Sequence, residues 1–511
     1  LGRNEGVNRE AAKGAKLRPH FSDNFVPSRL RDSSAWFVFF TMIQLTVAEL
    51  FRLPLRARMP FRYGIVTMTE VPHVFLRLTF EIDGQPSTGL AADHLPPKWF
   101  TKDPARALGD EIEEMLTVIR AAVAAARPRR AATPFLFWRE LYAAQAEWGR
   151  TNTIPPLLAH FGTSLVERAL VDAFCQAKNR SLAAALRENL LGVDLGALHG
   201  SLTGTSPRDW LPASPPETVF ARHTVGLLDP IEEADIAPAD RVTDGLPQSL
   251  AACVRFYGLR HFKIKVDADL TRARERLKQI AVVLRRECGG DYAYSLDGNE
   301  SFRDPVVFAT QMRALLAEPA LQDFWPKLLF IEQPLHRDVA LTPAADWSAW
   351  PERPPIIIDE SDAEIGSLPA ALRLGYAGTS HKNCKGIFKG IANACLLAQR
   401  RASGQPAMLS GEDLTNVGPV ALLQDLAMQS ILGVTSVERN GHHYFAGLAQ
   451  FPAAIQAHVL KYHGDLYTRS PAGWPRLDVR DGRITLGSAL RAPFGCVPGL
   501  DLRGVEQVTL G

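Results

Sequence analysis

Short apolar runs recur through the second half of the chain, separated by stretches compatible with helix. The runs are TVFARHTVGLL (218–228), HFKIKV (261–266), AYSLD (293–297), LLFIEQP (328–334), PIIIDE (355–360), AGTSHK (377–382), AMLSGE (407–412) and ILGVTSVE (431–438). Between most of them lie amphipathic segments such as LTRARERLKQIAVVLRREC and FKGIANACLLAQRRASG. Short strands alternating with helices predict a (β/α)8 barrel. A doubly wound open sheet is the rival, but its glycine-rich first turn is missing from this sequence.

The first part of the chain reads differently. IQLTVAELFRL (43–53) and HVFLRLTFEI (73–82) read as strands, the second near a period of two. PLRARMPFRYG (54–64) between them reads as a loop, and Asp83-Gly84 as a hairpin turn. Helices are expected over 104–127, 135–149 and 164–186. Strand-and-turn character returns after residue 464. The expected organisation is an α+β capping domain over 42–165, a barrel over 166–463, and a C-terminal segment, 464–511, that packs back on the cap. Residues 1–35 are polar, basic and irregular. The apolar run Trp36–Val47 is shorter than the roughly 20 residues a spanning helix needs, and it has no cleavage site after it. Residues 1–41 therefore read as a tag, an upstream extension or a disordered tail.

Composition changes this picture little. The 511 residues are 46% apolar and 22% charged, ordinary globular values that allow a large core. Lysine and arginine number 57 against 55 acids, for a formal charge of +2. That balance argues against nucleic acid as a partner, and no stretch approaches a membrane span. Six widely spaced cysteines without a CxxC pair predict neither a disulfide framework nor a structural zinc site. They fit scattered buried thiols in a reducing, cytoplasmic setting.

Polar residues interrupt the apolar runs at their C-terminal ends, the ends that build the active face of a barrel. Asp297, Glu332 and Asp359 close three successive runs. Three buried carboxylates repel one another unless a cation lies among them. An all-oxygen set without His or Cys points to Mg2+, with Mn2+ as a substitute. Lys263 and Lys265 share one side of the second run. Two adjacent ammonium groups depress each other's pKa, which would make one of them a general base. Lys382, from the sixth run, would face them across the bore. The same lysines could equally serve only to neutralise the acids.

KIKV, DGNE, IEQP, PIIIDES and HKNCKG, in this order and spacing, resemble the enolase superfamily. More narrowly, they are similar to its mandelate racemase/muconate lactonizing enzyme-like members, with the muconate lactonizing pattern. The likeness spans roughly 42–511. It implies a Mg2+ ion held by Asp297, Glu332 and Asp359, with a small-molecule carboxylate substrate on the metal. It also implies removal of the proton α to that carboxylate through an enediolate intermediate. Racemisation or epimerisation, cycloisomerisation and dehydration would follow from such a step. By match to the motifs, Lys265 and Lys382 are the acid/base pair and Lys263 tunes Lys265. Asn299 supports the metal shell, and Glu360 stands behind it, paired to Lys382. If the sixth strand ends later, Lys385 takes the role of Lys382. Arg58, Phe61, Glu438 and His442 are candidate substrate contacts, and His381 should point out of the bore. A homo-oligomer is expected. A sugar-acid dehydratase of the same superfamily is an alternative, weakened by the lack of a His on the seventh strand. A catalytically silent barrel with a binding role is the other.

Overall fold

A computed structural model of the protein describes residues 42–510, so the expectation for 1–41 lies outside the described residues. Three long antiparallel strands come first: β1 (Ile43–Tyr63), β2 (Val66–Ile82) and β3 (Gln85–His94). Asp83 and Gly84 join β2 to β3, with φ of 55° and 74°. A two-residue turn of type I′ needs positive φ at both positions, which Asp tolerates and Gly adopts freely.

PLRARMPFRYG is not the expected loop. It is the outer half of β1, paired with β2 as far as Tyr63 opposite Val66. Met59, Phe61 and Tyr63 are buried while Pro60 and Arg62 are exposed, so the period of two was present in the sequence. Proline and arginine obscured it. A register shift between Arg56 and Phe61 admits Pro60, which has no N–H for the ladder. β3 ends with His94 opposite His73, so β1 and β2 run on beyond it as a two-stranded arm.

Helices α1 (Leu108–Ala126), α2 (Pro134–Thr151) and α3 (Pro156–Ala177) follow. A two-residue strand, β4 (Arg130–Ala131), pairs back to β1. Thr133 caps α2 by accepting the Leu136 N–H, and Pro134 occupies the first turn, where no donor is needed. The helix expected over 164–186 is two helices. α3 stops at Ala177, Asn179 turns the chain with a φ of 48°, and Ser181 caps a short helix, Leu182–Arg187. α3 is buried from Leu157 to Cys175 because it packs against β2, β3, α1 and α2 and reaches the barrel. Gly89 makes this possible on β3, since a Cβ there would lie 2.0 Å from the Ala169 carbonyl oxygen.

The barrel strands are β5 (Thr218–Val225), β6 (His261–Lys265), β7 (Ala293–Asp297), β8 (Leu328–Glu332), β9 (Ile356–Ile358), β10 (Gly378–His381), β11 (Met408–Gly411) and β12 (Ser436–Arg439). Each pairs in parallel with the next, and β12 pairs with β5 to close the ring. This is the (β/α)8 barrel with a capping domain that the pattern predicted. Side-chain caps start some of the outer helices, as with Asp269 on Leu270–Cys288 and Asp304 on Pro305–Leu316.

The C-terminal segment touches both parts. After a small hairpin of β13 (Tyr467–Arg469) and β14 (Pro475–Leu477), β15 (Arg483–Thr485) lies antiparallel on β5, and β16 (Glu506–Val508) lies on β1. All six cysteines are buried and free. Among the described residues, no helix is long and apolar enough to cross a membrane.

Candidate active site

Register places the polar strand ends side by side. Lys265 lies opposite Asp297, and Asp297 opposite Glu332, on β6, β7 and β8. Asp359 follows β9, Lys382 follows β10 and Glu412 follows β11. β6 and β10 are four strands apart in a ring of eight, so Lys265 and Lys382 approach from opposite walls. Both line one cavity at the C-terminal mouth, together with Lys263, Asp297, Asn299 and Asp359.

Lys263 Nζ stands where the acids converge. It is 2.8 Å from Glu332 Oε1, 2.8 Å from Glu412 Oε2, 3.1 Å from Glu438 Oε2 and 3.2 Å from Asp297 Oδ2. The expectation that Lys263 and Lys265 depress each other's pKa is therefore corrected for Lys263. Burial opposes its charge, but Asp297, Glu332, Glu412 and Glu438 outweigh burial and hold it well above an ordinary lysine. Lys265 Nζ donates to Asn299 Oδ1 at 2.6 Å and to Asp297 Oδ2 at 3.2 Å. Asn299, with a φ of 46°, also donates to both Asp297 oxygens. It thus aims the lysine and the acid together.

Lys382 Nζ donates to Asp359 Oδ2 at 2.7 Å, lies 3.3 Å from Glu412 and sits 4.8 Å over the Trp99 ring. It does not pair with Glu360. Glu360 lines the cavity itself, and burial with Glu300 and Asp359 nearby pushes its carboxyl up to about 7. Lys385 is separate from the cavity lining. Its ammonium is spent on Asp359, at 2.6 Å from Oδ1, and on Ser380. The His381 ring lies outside the bore against Gly390, bonded to Asn383.

Glu412 is the site residue that the sequence reading missed. It is fully buried and also holds Arg222, whose Nη2 lies 3.1 Å from Glu412 Oε1. Carboxylate oxygens of Glu332, Asp359 and Glu412 all lie within 4.8 Å of one another. Like the other three acids, Glu412 closes an apolar run, AMLSGE. Burial raises the Glu332 pKa, and Glu412, Asp297 and Asp359 raise it further against the pull of Lys263. Glu332 Oε2 has no hydrogen-bond partner. Two such carboxylates repel unless a proton or a cation is shared between them, and the Lys263 ammonium, 2.8 Å from an oxygen of each, supplies part of that charge.

The cap closes the mouth with aromatic rings: Phe61 and Tyr63 from the arm, and Trp99 from the segment after β3. Arg337 pins that segment through the Trp99 and Phe100 carbonyls, at 2.9 Å and 2.7 Å. Glu300 holds Arg337 bidentately. Burial opposes the Glu300 charge, but Arg337 and Lys102 hold its carboxyl at about 2, below the ordinary 4.5. A depressed pKa stabilises the fold above pH ~4.5, and that stability is lost as pH falls toward ~2. Glu300→Gln is accordingly expected to destabilise the protein in urea at pH 7, with the deficit shrinking progressively below pH ~4.5. An equal deficit at pH 7 and pH 3 would contradict this.

Two candidate contacts lie elsewhere. Arg58 does not line this cavity; its guanidinium is bound by Asp244 and by the carbonyls of Leu246, Pro247 and His443, latching the arm to the barrel. His442 packs between His223 and Tyr257. Phe61 and Glu438 do line the cavity.

No protein-family profile and no curated protein matches the chain. Solved structures do. A muconate lactonizing enzyme from Pseudomonas fluorescens, complexed with muconolactone, is 16% identical, with a TM-score of 0.54 over 90% of this chain and 97% of that one. The N-succinyl Arg/Lys racemase of Bacillus cereus is 16% identical, with a TM-score of 0.53 over 88% and 97%. An enolase from Bradyrhizobium, complexed with magnesium and mandelic acid, is 17% identical, with a TM-score of 0.51 over 87% and 94%. The chain shares the fold of these mandelate racemase/muconate lactonizing enzyme-like structures along nearly their whole length.

Proposed function

We propose that the chain is a member of the enolase superfamily that removes the proton α to the carboxylate of a small organic acid, with Mg2+ as cofactor. The observation that carries this reading is the pair of ammonium groups, Lys265 and Lys382, lining one cavity from opposite walls above a cluster of carboxylates. The donor set suits the ion. Every donor is a carboxylate oxygen, one buried oxygen of Glu332 is without a partner, and oxygens of Glu332, Asp359 and Glu412 converge within 4.8 Å of one another. Asp297, Glu332 and Asp359 would hold it, with Glu412 as a further oxygen, and Mn2+ could replace it. When bound, the cation supplies charge that stabilises the negative charge developing on the substrate carboxylate.

The chain's own residues do the rest. Lys265 Nζ, aimed by Asn299, takes a proton from one face of the α-carbon as the neutral amine and becomes the ammonium. Lys382 Nζ, held by Asp359 and Trp99, returns one to the other face or stabilises charge there. Lys263 keeps Glu332, Glu412 and Glu438 in place. Phe61, Tyr63 and Trp99 exclude water, which strengthens every charge interaction within. Racemisation or epimerisation, cycloisomerisation and dehydration are the outcomes such a site supports, and lysine on β10 favours the muconate lactonizing pattern. Incubation with Mg2+ and a panel of carboxylic acids in D2O should show loss of an α-proton signal by NMR for at least one acid. Absence of exchange for every acid, together with no Mg2+ binding, would leave a silent barrel with a binding role.

A further inference from the structure

A second cluster of ligating side chains lies on the other side of the barrel wall. On β5, Arg222 and Thr224 face the bore, where they meet Glu412 and Glu438. His223, between them, faces outward. There it meets Cys253 of the helix Leu250–Tyr257 and His443 of the turn Gly441–Tyr444. One donor atom from each of the three lies within 4.8 Å of the others, and all three residues are buried. We propose that His223, Cys253 and His443 form a site for a soft divalent cation, Zn2+, that fastens the seam where the barrel closes.

The distances suit the ion. Cys253 Sγ is 3.5 Å from His443 Nδ1. In a tetrahedral site with Zn–N near 2.0–2.1 Å and Zn–S near 2.3 Å, nitrogen and sulfur lie about 3.6 Å apart. His442 Nε2, 3.1 Å from His223 Nδ1, touches one of the three ligands but lies outside the group of converging donors, so a water would take the fourth position. The imidazoles suit it, whereas burial pushes the Cys253 thiol up, so the cation must displace that proton as it binds. Burial holds His223 at about 3, and holds His442 and His443 well below an ordinary histidine, where the neighbouring rings and Arg58 add to the effect. The rings are thus already neutral, as ligands must be. Binding forms one Zn–S bond and releases the single thiol proton of Cys253 to solvent. A mixed set of imidazole and thiolate discriminates against Mg2+, which prefers oxygen. The other His/Cys group, His458, His463 and Cys496, lacks this freedom. His463 is used on both nitrogens, by Ser488 and by the Val497 N–H.

The site joins three elements distant in sequence: β5, the helix after it and the turn after β12. Arg58 reaches the same turn through the His443 carbonyl, so the clamp also steadies the cap arm. The test uses the full chain, stripped with a chelator and then saturated with Mg2+ so that the carboxylate cluster is occupied. Addition of Co2+ should give a thiolate-to-cobalt charge-transfer band with the intense visible bands of four-coordinate cobalt. Zn2+ should abolish both, and about one zinc per chain should survive gel filtration. Cys253→Ser should lose the charge-transfer band and drop the zinc content to about a tenth or less, whereas Cys288→Ser should keep both. His443→Gln gives a second variant should Cys253→Ser fold poorly. A wild-type protein without the thiolate–cobalt band, or a Cys253→Ser variant that binds zinc like wild type, would overturn the site and leave only an S–H···N contact.

Discussion

Lys265→Ala is expected to lower α-proton exchange by about 10²–10⁴-fold, the usual contribution of a positioned general base. Lys382→Ala should do the same for the opposite face of the carbon. The reason is geometric. The two lysines line one cavity from strands on opposite sides of the ring, so neither can reach the face served by the other. The measurement is deuterium incorporation into each enantiomer of an acid found to exchange. For a racemisable acid, each variant should lose exchange from one enantiomer and keep at least part of it from the other. A Lys382→Ala variant with full turnover would end the two-base reading. Lys385→Ala should not mimic Lys382→Ala, since Lys385 is committed to Asp359 and Ser380; its effect should be on stability.

The second large effect is on the fold. Arg168→Met should destabilise the protein by about 3–5 kcal/mol, because removal of one partner leaves a buried charge unpaired. Arg168 on α3 is fully buried and lies 2.9 Å from Asp93 Oδ2. It also donates to the carbonyls of Ala92 and Ser164. Asp93 in turn accepts from Asn416, which also holds Asp425. The chain Arg168–Asp93–Asn416–Asp425 therefore carries the position of the cap to the loop after β11, which lines the cavity. Urea unfolding measures the loss. A double-mutant cycle with Asp93→Asn should show strong coupling, with the double variant less destabilised than the sum of the singles. Additive losses would mean that Arg168 acts through packing alone.

The barrel was legible because its strands are buried on both faces. Each reads as an apolar run, and polar residues stand out at its end. The eighth run was read too long: Ser436–Arg439 is the strand, while Ile431 and Leu432 close the helix before it. The arm is not legible as a strand because Pro54 and Pro60 and the arginines Arg56, Arg58 and Arg62 disfavour one locally. Glu412 carries the same strand-end signature as Asp297, Glu332 and Asp359, but its partners Arg222 and Lys263 come from strands that only the closed ring brings to it. Arg58 lies in the strand arm and not in the expected loop, and His442 lies in the short turn of helix, Gly441–Tyr444, after β12. Only the packing of the arm on the barrel turned Arg58 toward Asp244, and only the outward face of the wall received His442.

What the sequence determined by itself is local. The period of apolar positions, the residues that end each run and the caps that start each helix depend on near neighbours along the chain. The tertiary structure alone decided which charge meets which. Lys263 and Glu412 are 149 residues apart and 2.8 Å apart in space, and Lys263 is charged because four carboxylates surround it, not neutral because Lys265 is near. Electrostatic energy depends on distance in space and on burial, and closure of an eight-stranded ring sets both. The opposition of Lys265 and Lys382 and the meeting of His223 with Cys253 and His443 follow from that closure.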